Sequence, residues 1–208
     1  MISLRQKNHI IDALYAAHII ELLLSLRTDK RPYRINLSLL SANPQLLWRV
    51  ACLFETFLVA ASPDLIVGPY TDIPLATTIS LKYMMPMVFV RKQRKEYGRG
   101  RLIEGDFLRG ERVVIVDDEL KSAASALQLI GRLEGADLKV VGYLTLLPID
   151  SAIHQVLKTK GYNPNAVLNQ SDVLLRLHKT GKLNQAHLAQ LRTYWLQQRL
   201  QGRYSSQS

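Results

Sequence analysis

The stretch Val113-Val114-Ile115-Val116-Asp117-Asp118 decides the fold class, because it is typical of a buried strand that ends in two carboxylates. A short loop follows it, and an apolar helical pattern then runs from about Ser122 to Glu134. Carboxylates just past a strand can accept hydrogen bonds from the vicinal hydroxyls of a ribose. Backbone N–H groups at the start of the next helix can bind a phosphate. The simpler alternative is that these acids only cap the helix.

Three further apolar runs have the length and punctuation of buried strands: 65–67, 87–90 and 138–146. A helix is predicted over 73–83, between the first two of them. Because strands and helices alternate, we predict an α/β fold with a mostly parallel central sheet and helices on both faces. Ligands bind such sheets at the carboxyl ends of the strands, where the two acids lie.

The flanking segments are predicted to be helical. Apolar spacing over residues 2–26 predicts an amphipathic amino-terminal helix, and Asn43-Pro44 begins a second helix that runs to about Ala60. The tail is typical of two or three helices, and its last residues are polar. The predicted organisation is one domain over residues 1–201, made of an amino-terminal part (1–43), a core (44–148) and a helical tail (149–201), with residues 202–208 disordered.

The chain is basic, with 27 Lys and Arg against 17 Asp and Glu, a net charge of +10. Six of these cations lie in residues 91–101, against the single acid Glu96. Such a run can be a solvated loop, a nucleic-acid surface or a site for a small polyanion. The lone Cys52 lies in an apolar run and predicts no internal disulfide. Neither a membrane span nor a signal peptide is evident, so we expect a cytoplasmic protein without a membrane partner.

Four segments, in order along the chain, resemble segments of the orotate phosphoribosyltransferases. The segment that covers the orotate in that family is similar to Lys30-Arg31-Pro32-Tyr33-Arg34-Ile35-Asn36. The pyrophosphate loop resembles residues 65–78, and the mobile catalytic loop resembles residues 89–98 followed by Ile103-Glu104-Gly105. The motif that binds phosphoribosyl pyrophosphate (PRPP) corresponds to residues 114–125.

The resemblance implies a type I phosphoribosyltransferase fold. It also implies transfer of ribose 5-phosphate from PRPP to orotate, with release of pyrophosphate, in pyrimidine nucleotide biosynthesis. Mg²⁺ would be carried mainly by the substrate, with no direct metal ligand from the chain. A homodimer would form in which each subunit lends its loop of residues 91–101 to the partner's site.

The resemblance also assigns site residues. The catalytic group would be Arg91, Lys92, Lys95 and Tyr97. PRPP would be bound by Asp117, Asp118, Lys121, Ser122, Ala123, Ala124, Ser125, Tyr70 and Thr71. The base would be bound by Arg27, Tyr33, Arg34 and Ile35.

The sequence departs from the family pattern at several of these positions. Tyr97 stands where His is usual, Thr71-Asp72 where a Lys is usual, and Ala123-Ala124 where glycine is usual. An Ala forced into a left-handed conformation would cost on the order of 1 kcal/mol. Residues 147–150 lack the Arg that normally binds the orotate carboxylate. Three outcomes remain open: an orotate enzyme, a transferase for another acceptor, or a non-catalytic sensor of PRPP or a nucleotide, for which nucleic acid is not excluded as a partner.

Overall fold

The structure is a computed structural model that describes residues 2–22, 33–93, 102–120, 122–147, 151–191 and 193. Two compact units are present. One comprises residues 47–167, and the other combines residues 2–46 with the segment that follows residue 167. In chain order the elements are α1 Leu4–Ala16, β1 Ile20–Leu22, β2 Tyr33–Ile35, α2 Ser38–Ser41, α3 Pro44–Cys52, α4 Glu55–Ala61, β3 Leu65–Pro69, α5 Ile73–Tyr83, β4 Met87–Val90, β5 Ile103–Glu104, β6 Arg112–Asp117, α6 Ala123–Glu134, β7 Lys139–Thr145, α7 Ser151–Thr159, β8 Pro164–Ala166 and α8 Gln170–Lys179.

The larger unit is built on a six-stranded sheet in the order β5-β4-β3-β6-β7-β8. All neighbouring strands are parallel except β4 and β5, which are antiparallel. Both central strands are buried along nearly their whole length, as their unbroken apolar sequences predict. The α/β prediction with a mostly parallel sheet is therefore confirmed.

The prediction of one amino-terminal helix over residues 2–26 is wrong. α1 ends at Ala16, and His18 then takes a left-handed conformation with φ of 54°. The apolar residues after this turn pair as β1 with β2 in a separate two-stranded antiparallel sheet. Adjacent isoleucines can be buried either in a short strand or on one face of a helix. Apolar spacing alone therefore did not reveal that the helix ends and a strand begins.

The helix predicted from residue 44 to about residue 60 is two helices, α3 and α4, which meet at a bend of 43°. Leu53 and Phe54 form the break, and both side chains are buried. In the predicted helical tail, residues 164–166 instead form the edge strand β8. Residues 185–191 are helical.

Helices α1 and α8 belong to the smaller unit and are joined by two ion pairs. Lys7 Nζ lies 2.6 Å from Asp172 Oδ2, and Arg176 Nε donates to Asp12 Oδ1 at 2.8 Å. The Arg176 guanidinium holds the pKa of Asp12 below its usual range, because it donates hydrogen bonds to the ionised carboxyl.

Among the described residues no single helix is long and apolar enough to cross a membrane. In that part of the chain, the bent pair α3–α4 is the one pair of helices whose combined length and composition would be sufficient.

Strands β6 and β7 pair with one irregularity. Val113 pairs with Val140, but the next residue of β6, Val114, pairs with Gly142. Val141 is therefore an extra residue on β7, as in a β-bulge. Beyond the bulge the pairing is regular, and Tyr143 lies opposite Ile115.

Gly68 on β3 lies where α5 packs closest to the sheet. A Cβ atom at this position would lie 2.9 Å from the Cβ of Ala76 on α5, closer than carbon atoms pack. We expect Gly68→Ala to displace α5 and to lower the free energy of unfolding by about 1–3 kcal/mol. Urea unfolding measures the change. Gly131→Ala in α6 is the control, because a Cβ there meets no atom within 4 Å. Equal effects of the two substitutions would contradict the close packing.

Candidate active site at the carboxyl ends of β3 and β6

The chain changes direction across the sheet between β3 and β6. From β3 it moves to β4 on one side, and it later returns to β6 on the other side of β3. In open α/β sheets such a switch point leaves a crevice outside the carboxyl ends of the two strands. Residues 70–72 follow β3, and Asp118 follows Asp117, the last residue of β6, so both segments border this crevice.

Asp117 is buried and is held by two hydrogen bonds. The hydroxyl of Tyr143 donates to its Oδ2 at 2.6 Å, and the backbone N–H of Asp118 donates to its Oδ1 at 2.9 Å. Burial and the adjacent Asp117 carboxylate raise the pKa of Tyr143 above its usual range, so the phenol stays protonated and remains a donor. Tyr143 thereby fixes the orientation of the Asp117 carboxylate.

Asp72 is the N-cap residue of α5, but its side chain does not cap the helix. A carboxylate at this position ordinarily accepts a bond from the first turn. Here the side chain joins Asp117 and Asp118, with one oxygen from each residue within 4.8 Å of the others. Asp72 is only 8% exposed, and its Oδ2 atom has no hydrogen-bond partner. Burial, with the nearby Asp118 and Asp117 charges, raises the pKa of Asp72 from its ordinary value of 3.8 to about 9.

The amino terminus of α6 follows the two acids of β6. Ser122 caps it, with its Oγ accepting from the Ser125 N–H at 3.1 Å. The Ser122 and Ser125 hydroxyls also bond each other, at 2.9 Å. Ala123 and Ala124 form the first turn of the helix, and neither has a positive φ. The left-handed strain considered for these alanines therefore does not arise, and the first-turn N–H groups keep the ordinary arrangement of a helix start.

Arg91 and Lys92 are the two basic residues of the predicted catalytic group that the structure describes, and they directly follow β4. Arg91 Nε donates to Glu104 Oε1 at 2.6 Å, and both side chains are about a third exposed, at 32% and 29%. The Arg91 N–H donates to the Leu102 carbonyl at 2.8 Å, which joins the two ends of the basic segment. Lys92 Nζ lies 6.0 Å from the ring centre of Tyr70, which is half-exposed.

Several predicted site residues lie outside the described residues: Lys95, Tyr97, Lys121 and Arg27. Thr71 is exposed in the turn after β3. The predicted base-binding residues Tyr33, Arg34 and Ile35 form β2, in the smaller unit. The structure thus brings the acids and the residues after β3 to one crevice, while the roles given to the individual residues remain predictions.

Sequence reasoning missed two members of this site. Asp72 was counted only as a departure from the family pattern, although an acid two residues before a Pro at a helix start is a visible signal. Tyr143 sits in the middle of an apolar strand, and its sequence carries no sign of a polar contact. Glu104, the partner of Arg91, also had no assigned role.

Tyr143→Phe tests the support of Asp117. Removing the hydroxyl takes one hydrogen-bond donor away from a buried carboxylate, and we expect the free energy of unfolding to fall by about 1.5–3 kcal/mol. Urea unfolding measures it. Tyr162→Phe is the matched control, because the Tyr162 hydroxyl donates to the exposed Glu134 carboxylate at 3.1 Å, and its loss should cost well under about 1 kcal/mol. The expectation fails if both variants lose the same stability.

The fold and the acidic crevice at its switch point define a class, the type I phosphoribosyltransferase fold. UMP synthase of Leishmania donovani superposes with a TM-score of 0.81 at 27% identity, over 92% of this chain and 42% of that one. Orotate phosphoribosyltransferase of Francisella tularensis superposes with a TM-score of 0.71 over 90% of this chain and 94% of that one, at 17% identity, which shows the fold alone.

In sequence, the chain is 31% identical to orotate phosphoribosyltransferase of Thermococcus gammatolerans over 147 residues, 69% of this chain and 78% of that protein. The chain belongs to the orotate phosphoribosyltransferase family. It is also 36% identical to the bifunctional enzyme PyrF/PyrE of Nostoc over 154 residues, 74% of this chain. The chain spans about a third, 32%, of the length of that protein and of the bovine uridine 5'-monophosphate synthase. No protein-family model matches it.

Proposed function

We propose that the chain is an orotate phosphoribosyltransferase that transfers ribose 5-phosphate from PRPP to orotate and releases pyrophosphate. The observation that carries the proposal is the acidic end of β6, which lies at the switch point and is followed directly by the capped start of α6. A hydroxyl-bearing sugar and its phosphate need these two features side by side. Membership of the family supplies the reaction.

Asp117 and Asp118 would accept hydrogen bonds from the two ribose hydroxyls. Tyr143 would hold Asp117 in place for this contact, since its hydroxyl occupies one carboxylate oxygen at 2.6 Å. The N–H groups of Ala123 and Ala124 would bind the 5-phosphate, favoured by the positive end of the α6 dipole. Hydrogen bonds to an ionised group are among the stronger ones, so these contacts would fix the ribose.

Departure of the pyrophosphate builds negative charge on the leaving group and positive charge on the ribose. Lys92 and Lys95 would stabilise the leaving group, because preorganised cations lower the energy of a developing anion. Arg91 would contribute through the guanidinium nitrogens that Glu104 does not use. A closed loop over residues 91–101 would keep water from hydrolysing PRPP.

The residues present also fit Mg²⁺. Carboxylate oxygens are its preferred protein ligands, and Asp72 presents a buried oxygen without a hydrogen-bond partner beside two further carboxylates. When bound, the ion would neutralise phosphate charge. The proposal also includes a homodimer that shares the loop of residues 91–101 and a cytoplasmic location, both of which remain predictions from the sequence.

Pyrophosphate release with PRPP, Mg²⁺ and orotate tests the function. We expect release that depends on orotate and falls sharply in Lys95→Ala, since a cation at the leaving group would be lost. No release in a sample whose melting temperature rises with PRPP would instead support a sensor. Release with another base in place of orotate would identify a transferase for a different acceptor.

A further inference from the structure

The backbone of Arg91 is held from two directions. Its N–H donates to the Leu102 carbonyl at 2.8 Å, and its own carbonyl accepts from Arg132 Nη1 of α6 at 3.4 Å. The residue before it, Val90, pairs with Ile103 on the antiparallel strand β5. Because the backbone is fixed in this way, the direction of the Arg91 side chain alone decides where its positive charge lies.

Glu104 reaches the Arg91 side chain across the pair of β4 and β5. Phe89 pairs directly with Glu104, and Arg91 lies two residues further along the same strand direction, so the two charged residues are diagonal neighbours on one face. Arg91 Nε donates to Glu104 Oε1 at 2.6 Å, and the guanidinium carbon lies 5.7 Å from the centre of the Phe89 ring. A carboxylate and an aromatic ring therefore hold the same guanidinium.

Gly105 fixes the approach of β5 to β4 beside this pair. Its φ of 115° lies in the region that favours glycine, and a Cβ atom there would lie 2.9 Å from Val88 Cγ1 and 3.1 Å from the Met87 carbonyl oxygen. The close approach belongs to the register in which Glu104 lies opposite Phe89. The position of the Glu104 carboxylate is thus set by the backbone of β5.

The ion pair between Arg91 and Glu104 leaves part of the guanidinium available. Its bond uses Nε, so the N–H groups of the two terminal nitrogens are left for other acceptors. The terminal nitrogens of an arginine form a planar fork that suits two phosphate oxygens. A pair that is 32% and 29% exposed contributes little to stability, so its main consequence is the orientation of the fork.

We propose that Glu104 is a positioning residue, which orients Arg91 so that its terminal nitrogens donate to the pyrophosphate of PRPP. Glu104 does not contact the substrate and acts through Arg91. An oriented donor stabilises the charge that develops on the leaving group without first having to be ordered. The inference rests on the function proposed above for the identity of the anion, and on the described contacts for the orientation of Arg91.

A double-mutant cycle with Arg91→Ala and Glu104→Ala tests the inference in the full chain. It is followed by kcat/KM for PRPP and, separately, by calorimetric titration with pyrophosphate and Mg²⁺. We expect Glu104→Ala to lower kcat/KM by about five- to thirtyfold, and the double variant to match Arg91→Ala within about twofold. A residue that only supports the fold would instead add its loss to that of Arg91→Ala.

Two further variants sharpen the comparison. Glu104→Gln keeps a side-chain oxygen that accepts from Nε, so it should retain most of the activity that Glu104→Ala loses. Asp137→Ala is the matched control, because Asp137 pairs with Arg109 Nε at 3.4 Å in an exposed ion pair of the same unit, and its activity should equal that of the wild type. Glu104→Leu keeps the bulk of the side chain and repeats the cycle should Glu104→Ala unfold.

Full activity in Glu104→Ala, or losses that multiply in the double variant, would overturn the inference. Transfer with such uncoupled losses would leave the enzyme proposal standing and remove this one. Coupled losses in pyrophosphate binding by a chain that transfers nothing would keep the role of Glu104 and remove the transfer. A wild-type chain that neither transfers nor binds pyrophosphate would overturn both proposals.

Discussion

Asp72→Asn is expected to raise the free energy of unfolding of the metal-free protein by roughly 2–4 kcal/mol at about pH 8. Between the ordinary pKa of 3.8 and the folded value of about 9, the folded chain binds a proton at Asp72 that the unfolded chain has released. The free energy of unfolding therefore falls as pH rises through this window, by at most about 1.4 kcal/mol per pH unit. Asn carries no such cost, and its amide can donate to the neighbouring carboxylates.

Urea unfolding in EDTA at several pH values between about 6 and 9 measures this effect. The wild-type free energy should decline across the range more steeply than that of the variant, so the difference between the two grows with pH. Asp137→Asn should follow the wild type, because the Asp137 side chain is 59% exposed. A variant that is less stable than the wild type, or two parallel profiles, would contradict the buried and protonated state of Asp72.

Asp118→Asn is expected to lower kcat/KM for transfer by about 10- to 150-fold. A hydrogen bond from a ribose hydroxyl to an ionised carboxylate is worth about 1.5–3 kcal/mol, and an amide oxygen recovers only part of it. The backbone contact of Asp118, whose carbonyl accepts from the Leu147 N–H at 3.1 Å, does not depend on the side chain. The fold should therefore survive the substitution.

Steady-state kinetics with PRPP as the varied substrate measures the loss, and Asp137→Asn serves again as the control. A fall in kcat with little change in KM would indicate a contact made mainly in the transition state, whereas a rise in KM alone would indicate ground-state binding. Full activity in Asp118→Asn would remove Asp118 from the ribose site.

The central strands of the sheet could be predicted from the sequence because they are buried on both faces. Strand β4 and helix α5 have the predicted bounds, 87–90 and 73–83, and β6 contains the predicted apolar run Val113–Val116. The edge strands could not be predicted in this way. β5 has two residues, and β8 has three and begins with a proline, so neither contains an apolar run.

The candidate site could be predicted from the sequence where its polar residues directly follow a buried strand. Asp117 and Asp118 come directly after a buried strand, so their position at the edge of the sheet is a matter of topology. The position of Asp72 in the site could not be predicted from the sequence. Its carboxyl lies near two acids that are more than forty positions away in sequence, and it does so only because β3 and β6 pair. The same pairing explains why a residue that departs from the family pattern lies inside the crevice.

The extra residue Val141 in β7 acts as a phase shift. In a straight strand, Lys139 and Tyr143 would share a face, because side chains alternate with a period of two. The bulge moves them to opposite faces: Lys139 pairs with Arg112, and Tyr143 pairs with Ile115. Were Val141 paired with Val114, Tyr143 would lie opposite Val116 and point away from Asp117. The bond between Tyr143 and Asp117 therefore also favours the bulged alignment of the two strands, since the straight register would turn the Tyr143 hydroxyl away from the Asp117 carboxylate.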